Sequence, residues 1–140
     1  MLKTKRIHVN TDLNELSKVL NWFQDLNQAS VSAEDWMQCQ IALAEGFTNV
    51  VRHAHQSLPP QTIIEIDVNF YPNHVEMRIW DCGPPFSLME HLDQHRASVT
   101  DASISGRGLM LLQKIANELD YRRVDETRNC LCLIKRRSIS

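Results

Sequence analysis

Glu45, Asn49, Arg52 and His53 follow one another at offsets of four, seven and eight, a spacing that on a helix lines all four along one stripe beside the apolar face. A carboxylate, an amide oxygen and two donors in a row suit a metal-bound phosphate chain. An Asn oxygen can ligate Mg²⁺, which keeps several waters and takes few protein ligands. Glu45 could then orient a nucleophile. The same four residues would equally form the solvated side of an amphipathic helix. Gly46 is what plain solvation leaves unexplained: a mid-helix glycine costs about 1 kcal/mol relative to alanine and suits a place where something approaches closely.

Asp81-Cys82-Gly83 closes the run Ile79-Trp80 and so sets a carboxylate at the mouth of a sheet. There it could accept a hydrogen bond from an exocyclic amine such as N6 of adenine, while Gly83 lets backbone come near a ring. Asp-x-Gly is also ordinary turn sequence. Ser105-Gly106-Arg107-Gly108-Leu109 precedes a helical period, so backbone N–H groups and the Arg107 charge converge where a phosphate would be held; a glycine-assisted helix start is the alternative. Two of the chain's four glycines fall here. No Gly-x4-Gly-Lys-Ser/Thr or Gly-x-Gly-x-x-Gly occurs, which excludes the P-loop and dinucleotide folds, and serine hydrolase chemistry lacks its Gly-x-Ser-x-Gly elbow. His53-Ala54-His55 and His91-x3-His95 have metal-like spacings but no carboxylate or thiolate partner at matching distance. Cys130 and Cys132 share a strand face and read as core. Trp22, Trp36 and Trp80 read as packing or interface residues.

The elements that must position these groups follow from periodicity. Lys3 to Val9 alternates weakly and reads as an edge strand, after which Asp12 caps a helix with Leu13, Leu16, Leu20, Phe23 and Leu26 inside. Ser32, with Asp35 three residues on, starts a second helix whose core stripe is expected to be Met37, Ile41, Ala44, Phe47, Val51 and Ala54. Ile64 to Phe70 and Val75 to Ile79 alternate around Pro72-Asn73 and predict an antiparallel hairpin with one wet face. From Cys82 to Ser105 no period is sustained, and a stretch of that length in a small domain is expected to be functional, a lid. Gly106 to Asn117 returns to helix, and strands Leu119 to Val124 and Cys130 to Lys135 meet across Asp125 to Asn129. The expected fold is α+β: a two-layer sandwich of a mixed, mostly antiparallel sheet with about three helices on one face.

At 140 residues and 43% hydrophobic, the chain fits one domain, 1–140, with a core of its own. Its 15 basic and 17 acidic residues are interspersed at a net charge of −2, which argues against direct nucleic-acid binding or an anionic membrane surface; Lys135-Arg136-Arg137 reads as a strand end. Four scattered cysteines form no disulfide framework, no apolar signal segment follows the basic start, and no apolar run approaches the roughly 18 residues of a membrane span. A cytoplasmic location is expected.

Taken in order, Glu45-Gly46-Phe47-Thr48-Asn49, Asp81-Cys82-Gly83 and Gly106-Arg107-Gly108 resemble the three nucleotide boxes of the GHKL ATPase superfamily. More closely, the chain resembles the short bacterial anti-sigma-factor serine/threonine kinases, and Ile41 to His55 reads like their helix. The likeness spans nearly the whole chain. It implies ATP and Mg²⁺, with Glu45 as general base, Asn49 as the Mg²⁺ ligand, Asp81 as adenine anchor beside Gly83, and Gly106, Arg107, Gly108 and Leu109 as a phosphate wall. Arg52 and His53 would sit near the phosphates or the lid, 82–105. It further implies phosphoryl transfer to a serine of a STAS-domain anti-sigma antagonist, binding of a sigma factor in the alternate state, and a homodimer. One departure stands in Gly83-Pro84-Pro85-Phe86: many family members carry glycine where this chain has Pro85, which fixes φ and deletes an N–H. A different class of function, a non-catalytic module whose bound nucleotide orders the lid and switches a partner, is compatible with the same residues. A two-component histidine kinase core is disfavoured, because no dimerisation helix with a phospho-accepting histidine is found in the sequence.

Overall fold

The computed structural model describes residues 3–26, 31–84 and 104–137, with the backbone alone for Lys3 and residues 104–109. Pro85, Phe86, His91, His95 and the bulk of the expected lid lie outside the described residues. Five strands, β1 (Lys3–Asn10), β2 (Ile63–Phe70), β3 (His74–Asp81), β4 (Glu118–Arg123) and β5 (Asn129–Arg136), form one sheet in the order β1-β2-β3-β5-β4. Every pairing is antiparallel, including those on either side of β3. The helices are α1 (Leu16–Asp25), α2 (Ala33–Asn49) and α3 (Ile104–Ile115).

Alternation along the strands decides which face the helices cover. Ile64, Ile66, Val68 and Phe70 of β2, Val75, Met77 and Ile79 of β3, and Leu131 and Leu133 of β5 are all buried under the helices. The opposite face carries ion pairs of Arg6 with Asp67 and of Arg78 with Glu76, each at 2.6 Å, and a hydrogen bond between His8 Nε2 and Glu65 at 2.7 Å. Cys130 and Cys132 share a strand face as expected, but it is the charged face beside Trp80 rather than the one the helices cover; Cys130 is buried there and Cys132 partly so. Strict alternation leaves them no choice once Leu131 faces inward. Trp36 does pack as expected, stacked on Phe23 at 4.4 Å and on Phe70 at 5.9 Å between ring centroids.

Ser32 caps α2 as its sequence indicates, its hydroxyl accepting from the Asp35 N–H at 3.1 Å. Asp12 instead caps a short 3₁₀ turn, Leu13–Glu15, that leads into α1. The inner stripe of α2 is rotated from the expected one: Trp36, Cys39, Ala42, Leu43, Gly46 and Phe47 are buried, as is Val50 just past its end, whereas Met37 and Ile41 are 60% and 39% exposed. The physical reason is distance. A methyl at Gly46 would lie 2.5 Å from Ile79 Cδ1 and 3.5 Å from Leu131 Cδ2, so this helix rests close on the sheet through its small residues. The close approach inferred for Gly46 is therefore that of the sheet.

Candidate functional site

Glu45 and Asn49 stand one turn apart on α2, both partly exposed. Past Asn49 the helix widens into a π turn, Val50–Ala54, closed by His55 N–H donating to the Val50 carbonyl at 2.8 Å. The extra residue in that turn breaks the simple α-helical stripe expected to carry Arg52 and His53. Both side chains are exposed. One end of the Asn49 amide, Nδ2, is buried with no hydrogen-bond partner among the described residues. A buried donor left open costs about 1–3 kcal/mol, so this one suits an acceptor beyond the described residues, such as a phosphate oxygen, with the amide oxygen turned to a cation. On that ground the residues present fit a magnesium-bound phosphate group.

Two contacts bring Asn49 and the second box to the same end of the sheet. Upstream of Asn49, Gly46 lies over Ile79; downstream, the Ala54 carbonyl oxygen lies 2.4 Å from where a Cβ on Gly83 would be. Only glycine fits there, and the reason is the π turn of this chain rather than a ligand ring. Asp81 is 1% exposed. Its Oδ1 accepts from the Gly83 N–H at 2.8 Å and from Asn129 Nδ2 at 2.9 Å, and its Oδ2 accepts from the Tyr121 hydroxyl at 2.7 Å. A carboxylate offers about four acceptor positions, so about one remains for a further donor such as an exocyclic amine. Burial, and then the bond to Asp81, push the Tyr121 phenol well above its ordinary value.

The Gly83 carbonyl is held in turn by Arg123 Nη1 at 2.9 Å and Asn129 Nδ2 at 3.0 Å. Cys82 N–H donates to His55 Nε2 at 2.8 Å. His55, 1% exposed, therefore carries its proton on Nδ1 and donates to Thr11 Oγ1 at 2.8 Å, while the Thr11 hydroxyl donates to the Thr62 carbonyl at 2.7 Å. The single hydroxyl proton going to Thr62 leaves no other arrangement. Desolvation lowers the His55 pKa, with Asp81 acting in the opposite sense. Among the described residues no cluster of three metal-ligating side chains occurs, so neither His53 nor His55 gains ligand partners there.

The third box lies on α3, which packs along α2. The helix begins at Ile104, ahead of Gly106-Arg107-Gly108, so the glycines fall within its opening turns rather than before them. The side chains of Arg107 and Leu109 lie outside the described residues. Sequence reasoning missed Tyr121, Asn129, Arg123 and His55. A signal for one of them, Asn129, existed. Alternation from Val75, Met77 and Ile79 points Asp81 inward, where a carboxylate demands donors, and Asn129 is its direct register partner.

Comparison with known proteins agrees with this geometry. The family model of the histidine kinase-like ATPase domain matches residues 9–135, from β1 to β5. A search of curated proteins found no match. Among the described residues no helix is long and apolar enough to cross a membrane. With the three boxes on α2, the end of β3 and α3, and the match spanning all five strands, the chain belongs to the histidine kinase-like ATPase family, the GHKL-type domains that use ATP.

Proposed function

We propose that this chain is an ATP- and Mg²⁺-dependent serine/threonine protein kinase that acts as an anti-sigma regulatory factor and phosphorylates a small STAS-domain anti-sigma antagonist. The observation that carries the reading is the buried Asn49 amide donor, unpartnered among the described residues, one turn from the Glu45 carboxylate. In this reading Asp81, with Gly83, accepts the exocyclic amine of adenine through its remaining acceptor position. Asn49 faces the phosphates and would hold the magnesium ion. That ion supplies positive charge against the phosphate oxygens when bound. Within the first turn of α3, Gly106 and Arg107 have backbone N–H groups that the helix leaves free for the phosphates, Gly108 and Leu109 continue the same wall one turn on, and Arg52, His53 and Arg107 add charge or donors around them. Glu45 takes the proton of the acceptor serine as its oxygen attacks the γ-phosphorus; the bond to the bridging oxygen breaks and ADP leaves.

Residues 82–105 act as the lid over this site, within a single domain spanning 1–140, and the protein works in the cytoplasm as a homodimer that also engages a sigma factor. The test is twofold. Calorimetry of ATP with and without Mg²⁺ is expected to show binding that Asn49→Ala and Asp81→Ala lose. Mass spectrometry of STAS-domain proteins from the same genome, incubated with the chain and Mg·ATP, is expected to show a phosphoserine or phosphothreonine that Glu45→Ala abolishes while retaining ATP. Nucleotide binding without any phosphorylated product would overturn the kinase assignment in favour of a nucleotide-dependent switch.

A further inference from the structure

His55 joins three regions of chain that are distant in sequence, around residues 11, 50–62 and 82. Its own position closes the π turn below Asn49, its Nε2 accepts from Cys82 inside the second box, and its Nδ1–H reaches Thr11 at the end of β1. Thr11 passes the link to Thr62 through its hydroxyl and to the Pro60 carbonyl through its backbone N–H, at 2.9 Å, just ahead of β2. Next to it, the Ala54 carbonyl abuts Gly83, so helix and strand end are fixed by a hydrogen bond and a steric stop side by side. Every polar atom of the ring is used, and the ring is closed to solvent.

We infer that His55 is a positioning residue for nucleotide binding: through Cys82 it sets the distance between the phosphate end of the site, at Asn49, and the base end, at Asp81. The inference rests on the assignment of those two residues to the ATP site. A nucleotide spans both ends at once, so an error in their separation is felt as lost affinity even when each end is intact. The neutral ring is required, because a proton on Nε2 would face the Cys82 N–H, donor against donor. Asp81 from β3 is the charged group acting on the ring; Thr11 from β1 and Thr62 before β2 present neutral groups, and the Cys82 thiol is held up mainly by burial.

The experiment compares Mg·ATP affinity by calorimetry in wild type, His55→Gln and His55→Leu between about pH 8 and about pH 5. A Gln amide carries an acceptor and a donor in the same one-three relation as the imidazole nitrogens and does not titrate. His55→Leu is expected to bind about tenfold more weakly throughout. His55→Gln is expected to recover most of that loss at neutral pH. Wild-type affinity is expected to fall about tenfold relative to His55→Gln as pH drops below the ordinary histidine value of about 6.5. A purely structural histidine would change the melting temperature but not this ratio in folded protein. Identical pH profiles for wild type and His55→Gln would overturn the inference, as would wild-type affinity in His55→Leu. If His55→Leu does not fold, the wild-type and His55→Gln profiles decide alone. Asn49→Ala and Asp81→Ala run alongside: if both bind as wild type, the site assignment fails, whereas if both lose ATP and the His55 profiles coincide, the positioning role alone fails.

Discussion

A methyl group added at Gly83 would meet the Ala54 carbonyl oxygen at 2.4 Å, and one added at Gly46 would meet Ile79 Cδ1 at 2.5 Å. The distances are alike but the neighbours differ. Backbone pinned by the π turn cannot give way, so Gly83→Ala is expected to destabilise by about 3 kcal/mol or more, read by urea unfolding, and to cost nucleotide affinity at the adjoining Asp81. At Gly46 the obstacle is the tip of one side chain. Gly46→Ala gains about 1 kcal/mol of helix propensity against about 1–3 kcal/mol of overpacking. Ile79→Val removes the offending atom, so Gly46→Ala is expected to be at least about 1 kcal/mol better tolerated in that background; strict additivity in the double-mutant cycle would contradict the contact. Asp81 shows what sequence withholds at this scale. Its type and place at a strand end were legible, as was the local Gly83 donor, but the donors from Tyr121 and Asn129 depend on register and on two strands contributed much later in the chain.

Ser32 and Asp125 govern where two elements start and turn. Ser32→Ala removes the acceptor for the Asp35 N–H and is expected to cost about 1 kcal/mol, measurable by denaturant midpoint. Asp125, in the β4–β5 turn, accepts from the Thr127 N–H at 2.9 Å and the Arg128 N–H at 2.8 Å, and these bonds with the Arg128 guanidinium hold its carboxyl down at about 2. Its contribution is complete above the ordinary carboxylate value of 3.8 and is lost as pH falls toward about 2. Wild type is expected to lose melting temperature more steeply than Asp125→Asn across that window. Equal slopes would mean the turn does not depend on the charge. The β2–β3 hairpin was legible because alternation has only two phases, and one of them buries Ile64, Ile66, Val68 and Phe70. The rotation of α2 was not, because a helical period fits neighbouring stripes. Large Met37 and Ile41 outweigh small Ala42 and Gly46 in any apolar count, although the close sheet selects the small ones. Nothing in Val50 to Ala54 announces an added residue in the turn.

Across the whole molecule, the proposed nucleotide site draws on α2, β3 and α3, with β4 and β5 holding Asp81, so bound ligand is expected to tighten the fold globally. Mg·ATP at about a hundred times its Kd is expected to stabilise by about 2.7 kcal/mol, roughly 6–10 °C in Tm, and Asp81→Asn should show none of this shift. A shift retained in Asp81→Asn would move the base site elsewhere. The β2–β3 and β4–β5 hairpins were readable because each is local; the β1–β2 and β3–β5 pairings that complete the sheet were not, nor was the sharing, since Asp81 meets Tyr121 and Asn129 across 40 and 48 residues. That span has a meaning for biogenesis. At roughly 5–20 residues per second a ribosome needs about 2–10 s to travel from Asp81 to Asn129, and during that interval the carboxylate proposed to read the base is exposed without its two side-chain donors. Nascent chains arrested before Tyr121 should therefore fail to capture ATP even where α2 has already folded, making nucleotide retention a readout of completed synthesis.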